Sequence, residues 1–146
     1  MASVDFYQLS RDPVDRVVPL LAAKALEGGA RVLVVHADAT GRAALSEALW
    51  AREGAFLANG ASGEPHADRQ PILLAAECSA AKNGAGIAIL ADGAWGHEEA
   101  RFERTILLFG GEQTSQAQRL WRSLKDAGHS LRIFKQREDG VWREGA

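Results

Sequence analysis

Four short runs constrain this chain more than any other feature: RVLVV (Arg31–Val35), PILLAA (Pro71–Ala76), GIAIL (Gly86–Leu90) and RTILLF (Arg104–Phe109). Each is apolar at successive positions instead of alternate ones, so a strand built from it needs cover on both faces. Helices supply that cover when the strands run parallel. Two further segments rich in strand formers, Val4–Leu9 and Ser130–Gln136, read as strands at either end. Helical spacing fills the gaps. Asp12-Pro13 opens one helix that runs to Leu26 and stops at Gly28-Gly29, with Pro19 implying that regular helix begins only near Val17. Thr40 caps a second helix that reaches Ala51, with Ala44, Leu45, Ala48 and Leu49 on one face. A third runs from Thr114 to Ala127 and is closed by Gly128. Arg52–Gln70, rich in Gly and Ala with Pro65, reads as a long loop, and Glu138-Asp139-Gly140 as a turn that lets Val141–Arg143 pair back. The expectation is one domain over residues 1–146, a three-layer α/β/α Rossmann-like fold with a mostly parallel central sheet.

Composition narrows the function. A net charge of −2 gives no general attraction to nucleic acid, so no direct specific DNA binding is expected. One cysteine, Cys78, allows no internal disulfide and no multi-cysteine metal site, which suits a reducing cytoplasm. MASVDFYQLS lacks the basic start and apolar run of a signal peptide, and no apolar stretch approaches the ~18 residues a membrane span needs. Charge is nevertheless uneven. Thr114–Arg137 holds six basic residues against one acid, a local +5 that leaves −7 for the remainder. Such a region suits a small anionic partner, or is a solvated face.

An enzyme of this fold should reveal itself at the β–α turns. The first turn, QLSRDPVD, has neither the Gly-x-Gly-x-x-Gly pattern nor a P-loop. FGGEQTSQ (Phe109–Gln116) is better placed, with Gly110-Gly111 at a helix start whose backbone N–H groups can hold an anion. It lacks a following Lys-Ser/Thr pair and carries Glu112. His36, followed by Asp38 at a strand end, is the one histidine placed for acid–base work; His66, His97 and His129 have no ligand or triad spacing. No serine sits in a Gly-x-Ser-x-Gly elbow, and Cys78 reads as a buried thiol. No catalytic residue, metal ligand set or cofactor site is expected.

Attention then passes to surfaces. In LWRSLKDAGHSL (Leu120–Leu131) the helix stripe Ala117, Leu120, Leu124, Ala127 faces the core, and Trp121 stands at its edge, followed round by Gln118, Lys125 and Arg122. Trp and Arg are the residues enriched at binding hot spots. Two readings stand: a pocket for a peptide with an apolar tip and acidic residues, or a tryptophan that covers the core with Arg122 stacked on it. A second pair, Trp50 at a helix end and Phe56 just beyond, is either an exposed anchor or a pin for the loop.

FYQL (Phe6–Leu9), ALEGGARVLV (Ala25–Val34), LSEALWAREGAFL (Leu45–Leu57), QPILL (Gln70–Leu74), NGAGIAIL (Asn83–Leu90) and AQRLWRSLKDAG (Ala117–Gly128) follow one another along nearly the whole chain. In these runs, their order and their spacing, the chain resembles the chi subunit family of bacterial DNA polymerase III holoenzyme, and the whole is similar to members from alphaproteobacteria. The resemblance implies a Rossmann-like adaptor without catalytic activity. It implies a grip on the acidic, Phe-terminated C-terminal tail of single-stranded-DNA-binding protein through Trp121, Arg122 and Lys125, with Gln118 where the family has Arg and Arg119 beside it. It also implies a psi-subunit or helicase surface at Trp50 and Phe56, where Phe56-Leu57-Ala58-Asn59 replaces the family's Phe-x-Pro-His. The competing reading is a nucleotide-binding α/β enzyme with its phosphate site at Gly110-Gly111.

Overall fold

The computed structural model describes residues 3–52, 54, 56–78, 82–96 and 102–145. His97 therefore lies outside the described residues. Eight strands form one sheet: β1 (Ser3–Gln8), β2 (Val32–Val35), β3 (Asn59–Ala61), β4 (Ile72–Ala75), β5 (Ile87–Leu90), β6 (Arg104–Phe109), β7 (Ser130–Gln136) and β8 (Trp142–Glu144). Their order is β3-β4-β2-β5-β6-β1-β7-β8. Every pairing is parallel except that of β7 with β8. The apolar runs occupy the middle of the sheet, where β2 and β4 are buried at every residue.

Three helices cover the two faces. α1 (Val14–Glu27) and α2 (Ala39–Ala51) pack with each other, and their Val17, Val18, Ala22, Leu45 and Leu49 join Val32, Val34, Ile72 and Ile89 in one core. α3 (Thr114–Asp126) covers the opposite face, where Ala117 and Leu124 meet Phe6, Leu107 and Phe109. The three layers and the mostly parallel sheet are those the sequence implies.

Several boundaries differ from expectation. α1 is regular from Val14, with Pro13 as its N-cap and Pro19 inside it. The proline removes a single amide donor early in the helix, and its ring is buried in compensation. The buried face of α1 also runs through Val17, Val18 and Ala22, and turns Leu20 outward. α2 begins at Ala39 after Asp38, so Thr40 lies within the first turn instead of capping it. The loop after α2 contains β3, parallel to β4, and a short 3-10 turn at Ala67–Arg69. In α3 the core stripe is narrower than its pattern, since Ala127 is exposed.

β1 lies between β6 and β7, and its Asp5 is fully buried. Arg104 of β6 donates Nε–H to Asp5 Oδ2 at 2.6 Å. Arg132 of β7 grips both oxygens, Nε to Oδ1 at 3.0 Å and Nη2 to Oδ2 at 2.9 Å. Asp5 in turn raises the Arg132 pKa, through the hydrogen bond first and the charge second. Beside this centre Tyr7 stacks on Phe134 at 4.7 Å and meets the edge of Trp142 at 5.1 Å. Burial pushes the Tyr7 hydroxyl up, with Arg104 opposing. A buried carboxylate left without partners costs far more than two arginines left partly in water. Arg104→Leu with Arg132→Leu should therefore destabilise the protein by ~3–5 kcal/mol. Asp5→Asn should cost less, because the arginine side chains are 34% and 47% exposed. Urea unfolding of the variants gives the ranking, and the reverse order would rule out this account of the charge centre.

Candidate functional site

In an open α/β sheet, ligands bind beyond the carboxyl ends of strands where the connections change direction. Here that point lies between β1, whose following helix α1 covers one face, and β6, whose following helix α3 covers the other. Two structures could have used it for an anion, the β1–α1 turn and the start of α3.

The β1–α1 turn is filled from within. The Gln136 side-chain carbonyl accepts the backbone N–H groups of Ser10 (3.3 Å), Arg11 (3.0 Å) and Asp12 (3.1 Å). Three convergent amides ahead of a helix are the usual cradle of a phosphate oxygen. Gln136 is itself buried and donates Nε2–H to Asp12 Oδ2 at 2.8 Å. Ser10 Oγ–H and the Arg11 guanidinium tie the turn further, to the Gln136 and Asp139 carbonyls. Gly140, at φ 88°, passes so close to Arg11 that a Cβ there would meet its guanidinium at 2.6 Å. The start of α3 is partly filled too. Gly110 N–H donates to Gln113 Oε1, and Gln113 Nε2–H donates to the Asp92 carbonyl. At the neighbouring strand end, His36 Nδ1 accepts the backbone N–H of Asp38. That bond places the neutral ring's proton on Nε2 and uses the nitrogen that an orienting carboxylate would need. Among the described residues no three His, Cys, Asp or Glu side chains converge as a metal site would require, and no helix is long and apolar enough to cross a membrane.

What remains open at the switch point is a groove of about 440 Å³ between α3, β1 and β7. Phe6 and Phe109, in edge contact at 6.3 Å, form its floor. Ala117, Gln118, Trp121 and Arg122 form the α3 wall, and Ile133 and Lys135 the β7 wall. Gln8 and Thr114 lie at the end nearest the strand termini. Trp121 is half-buried and sets its ring edge-on to Phe6 at 5.1 Å. It therefore both closes the core and lines the groove. Arg122 and Lys135 are exposed on opposite walls, and among the described residues neither is held in an ion pair.

The structure thus brings Gln118, Trp121 and Arg122 together. Lys125 is exposed one turn further along α3 and does not line the groove. Two more of the clustered cations are engaged elsewhere: Arg132 with Asp5 across the sheet, and Arg137 with Asp139 at 3.3 Å. Lys135 was missed because a linear charge count does not assign faces. Strand alternation carried the signal, since Leu131, Ile133 and Lys135 must share one face and Arg132, Phe134 and Gln136 the other.

Trp50 and Phe56 form a second feature. They are 51% and 81% exposed and touch edge to face at 5.6 Å. The local chain explains the exposure. Leu57 is drawn into the core, and Asn59 is fixed by Ser46 Oγ–H donating to its Oδ1 at 2.6 Å. Phe56, just before the buried Leu57, is left facing out.

A Rossmann-like α/β protein with a filled phosphate turn and a cation-walled groove is the class these features define. The family model described as DNA polymerase III chi subunit, HolC, matches residues 1–132, and the chain belongs to this family. It is accordingly a replication accessory subunit of DNA polymerase III, as the resemblance implied. A search of curated proteins gave no match. The end of β7 and all of β8 lie past the matched span.

Two outcomes follow from the geometry. The Gln136 hydrogen bond, opposed by desolvation and aided by Arg11 and Arg16, holds the Asp12 carboxyl below its ordinary range. A depressed carboxylate favours folding above its unfolded value, and that contribution vanishes as pH falls through the folded one. Asp12→Asn should therefore lose stability at pH 7, with the loss shrinking below about pH 4, so that the acid limb of the stability–pH curve is flatter than in wild type. An unchanged acid limb would contradict the linkage. Trp50→Ala and Phe56→Ala should each shift stability by less than about 1.5 kcal/mol, the scale of an aromatic pair outside a core. Losses of ~3–5 kcal/mol in thermal unfolding would mark them as core residues.

Proposed function

We propose that the groove beside α3 takes the acidic, Phe-terminated C-terminal tail of single-stranded-DNA-binding protein, and that the chain thereby links that protein to the clamp loader as a non-catalytic adaptor. The observation that carries this reading is the composition of the groove. An aromatic and aliphatic hollow bounded by Phe6, Trp121 and Ile133 suits one apolar side chain, and the Arg122 and Lys135 cations suit the charge beside it. Trp50 and Phe56 would serve the second contact, to a psi subunit or a helicase, as an exposed aromatic anchor. A protein working this way would act in the cytoplasm, where the replication machinery is.

The reading of a nucleotide-binding enzyme is disfavoured by hydrogen bonds. The three amides of the first turn and the Gly110 amide already have acceptors within the chain. A phosphate at the first turn would have to displace Gln136, and one at Gly110 would have to displace Gln113, leaving that side-chain amide to find new partners.

Isothermal calorimetry decides the matter. A short acidic peptide ending in Phe is expected to bind with micromolar affinity, because ordering a flexible tail offsets much of the contact energy. Binding should weaken with salt but keep a salt-resistant remainder from the apolar anchor. Lys125→Glu should cost more affinity than Lys125→Ala, by adding repulsion to lost attraction. Gln118→Arg, which adds a cation to the α3 wall, should tighten binding, and ATP, GTP or NAD should give no heat. Equal binding by a peptide lacking the Phe would reduce the groove to a general anion surface, and micromolar binding of a nucleotide would replace the adaptor reading with the enzymatic one.

A further inference from the structure

The antiparallel register of β7 with β8 places Lys135 directly opposite Arg143. Opposed residues share a sheet face and approach within about 5.5 Å, and like charges so placed repel. Among the described residues neither cation has an acidic partner. The neighbouring acid, Glu144, belongs to the other face by strand alternation and stands opposite Phe134. The backbone that carries the pair is fixed on both sides of it. Gly145 N–H donates to the Ile133 carbonyl at 2.7 Å, and a Cβ at Gly145 would meet Ile133 Cγ2 at 2.9 Å and Lys135 Cε at 3.9 Å. The chain thus lies tightly along Ile133 and beside the Lys135 stem. On the opposite face Gln136 locks the next residue of β7 into the β1–α1 turn. A like-charge pair on an edge hairpin, exposed and beside a groove, is relieved of its repulsion when an anion lies between the two charges.

We infer that Lys135 and Arg143 form an anion subsite at the β8 side of the groove that takes the acidic stretch of a bound peptide, while the apolar floor takes its aromatic end. Arg122 faces this subsite from α3, so the acidic segment crosses between two walls of positive charge. The inference rests on the proposed peptide reading and adds the direction in which the peptide lies. It also assigns the affinity for acidic residues to the β7–β8 hairpin, past the span that the family model matches.

The assignment makes two quantities move in opposite directions. Lys135→Glu turns a repulsive cross-strand pair into an attractive one, so the free protein should unfold at an equal or higher temperature than wild type. The same change should weaken binding of the acidic, Phe-terminated peptide by about tenfold or more and make its salt dependence shallower. Arg143→Gln should weaken binding about two- to fivefold without lowering the unfolding temperature, the range that exposed charge pairs give. Lys135→Arg should bind as wild type. A matched peptide with its acidic residues replaced by Asn and Gln, still ending in Phe, should bind wild type and Lys135→Glu alike. Wild-type affinity and salt dependence in both Lys135→Glu and Arg143→Gln would overturn the subsite, as would equal losses for the acidic and neutral peptides. If Lys135→Glu fails to fold, the Arg143→Gln result decides alone. If wild type itself does not distinguish peptides with and without the Phe, the groove reading fails first, and that outcome is separable from a failure of the subsite.

Discussion

The carboxylate of Asp5 sets the terms for the rest of the molecule. It is fully buried in an interior strand and is paired with Arg104 and Arg132, from the strands on either side. A buried ion cluster adds little net stability, because desolvation offsets its attraction. Its effect here is on alternatives. Slipping β6 or β7 by one residue would turn its arginine to the other face and leave a bare charge inside. α3 joins those same two strands and covers β1 between them, so its height above the sheet follows from the same constraint. The groove is the space left over once β1, β7 and α3 are so fixed.

Two glutamines take up the anion positions that a sheet of this kind usually offers. Gln136 and Gln113 take the backbone amides that a phosphate would otherwise find at the strand ends. The first of these positions is filled by the chain itself, and the second is filled in part. What is left exposed is an apolar hollow with cations on both rims, and an aromatic pair on a different loop. Those are shapes suited to pieces of other proteins, consistent with membership in a family of polymerase accessory subunits.

Much of this was legible in the sequence, and the misses have physical causes. The buried parallel strands showed because cover on both faces demands unbroken apolar runs, as in Val32–Val35 and Ile72–Ala75. Trp121 could be placed at a seam because helical rotation alone fixes its angle to Ala117 and Leu124. β3 was hidden because Asn59-Gly60-Ala61 has no strand propensity; it is a strand because Asn59 is pinned to Ser46 and its backbone finds β4. Pro19 misplaced the start of α1 because the helix tolerates a single missing donor and keeps the turn that packs Val14 against the core. The charge cluster was real as a count and mixed as a surface, since Arg132 serves Asp5 on one face while Lys135 serves the groove on the other. Only the strand pairing separates them.

The Gln136 carbonyl also bears on what descendants of this chain can become. Trading it for a phosphate would require a first substitution that strands the amides of Ser10, Arg11 and Asp12 and unbuttons the hairpin at Gly140. No intermediate gains a ligand before it loses stability. The commonest trade of the Rossmann-like sheet thus lies behind a loss of stability, whereas the exposed charges on the rims of the groove stand outside that network and can be exchanged one at a time without stranding an amide.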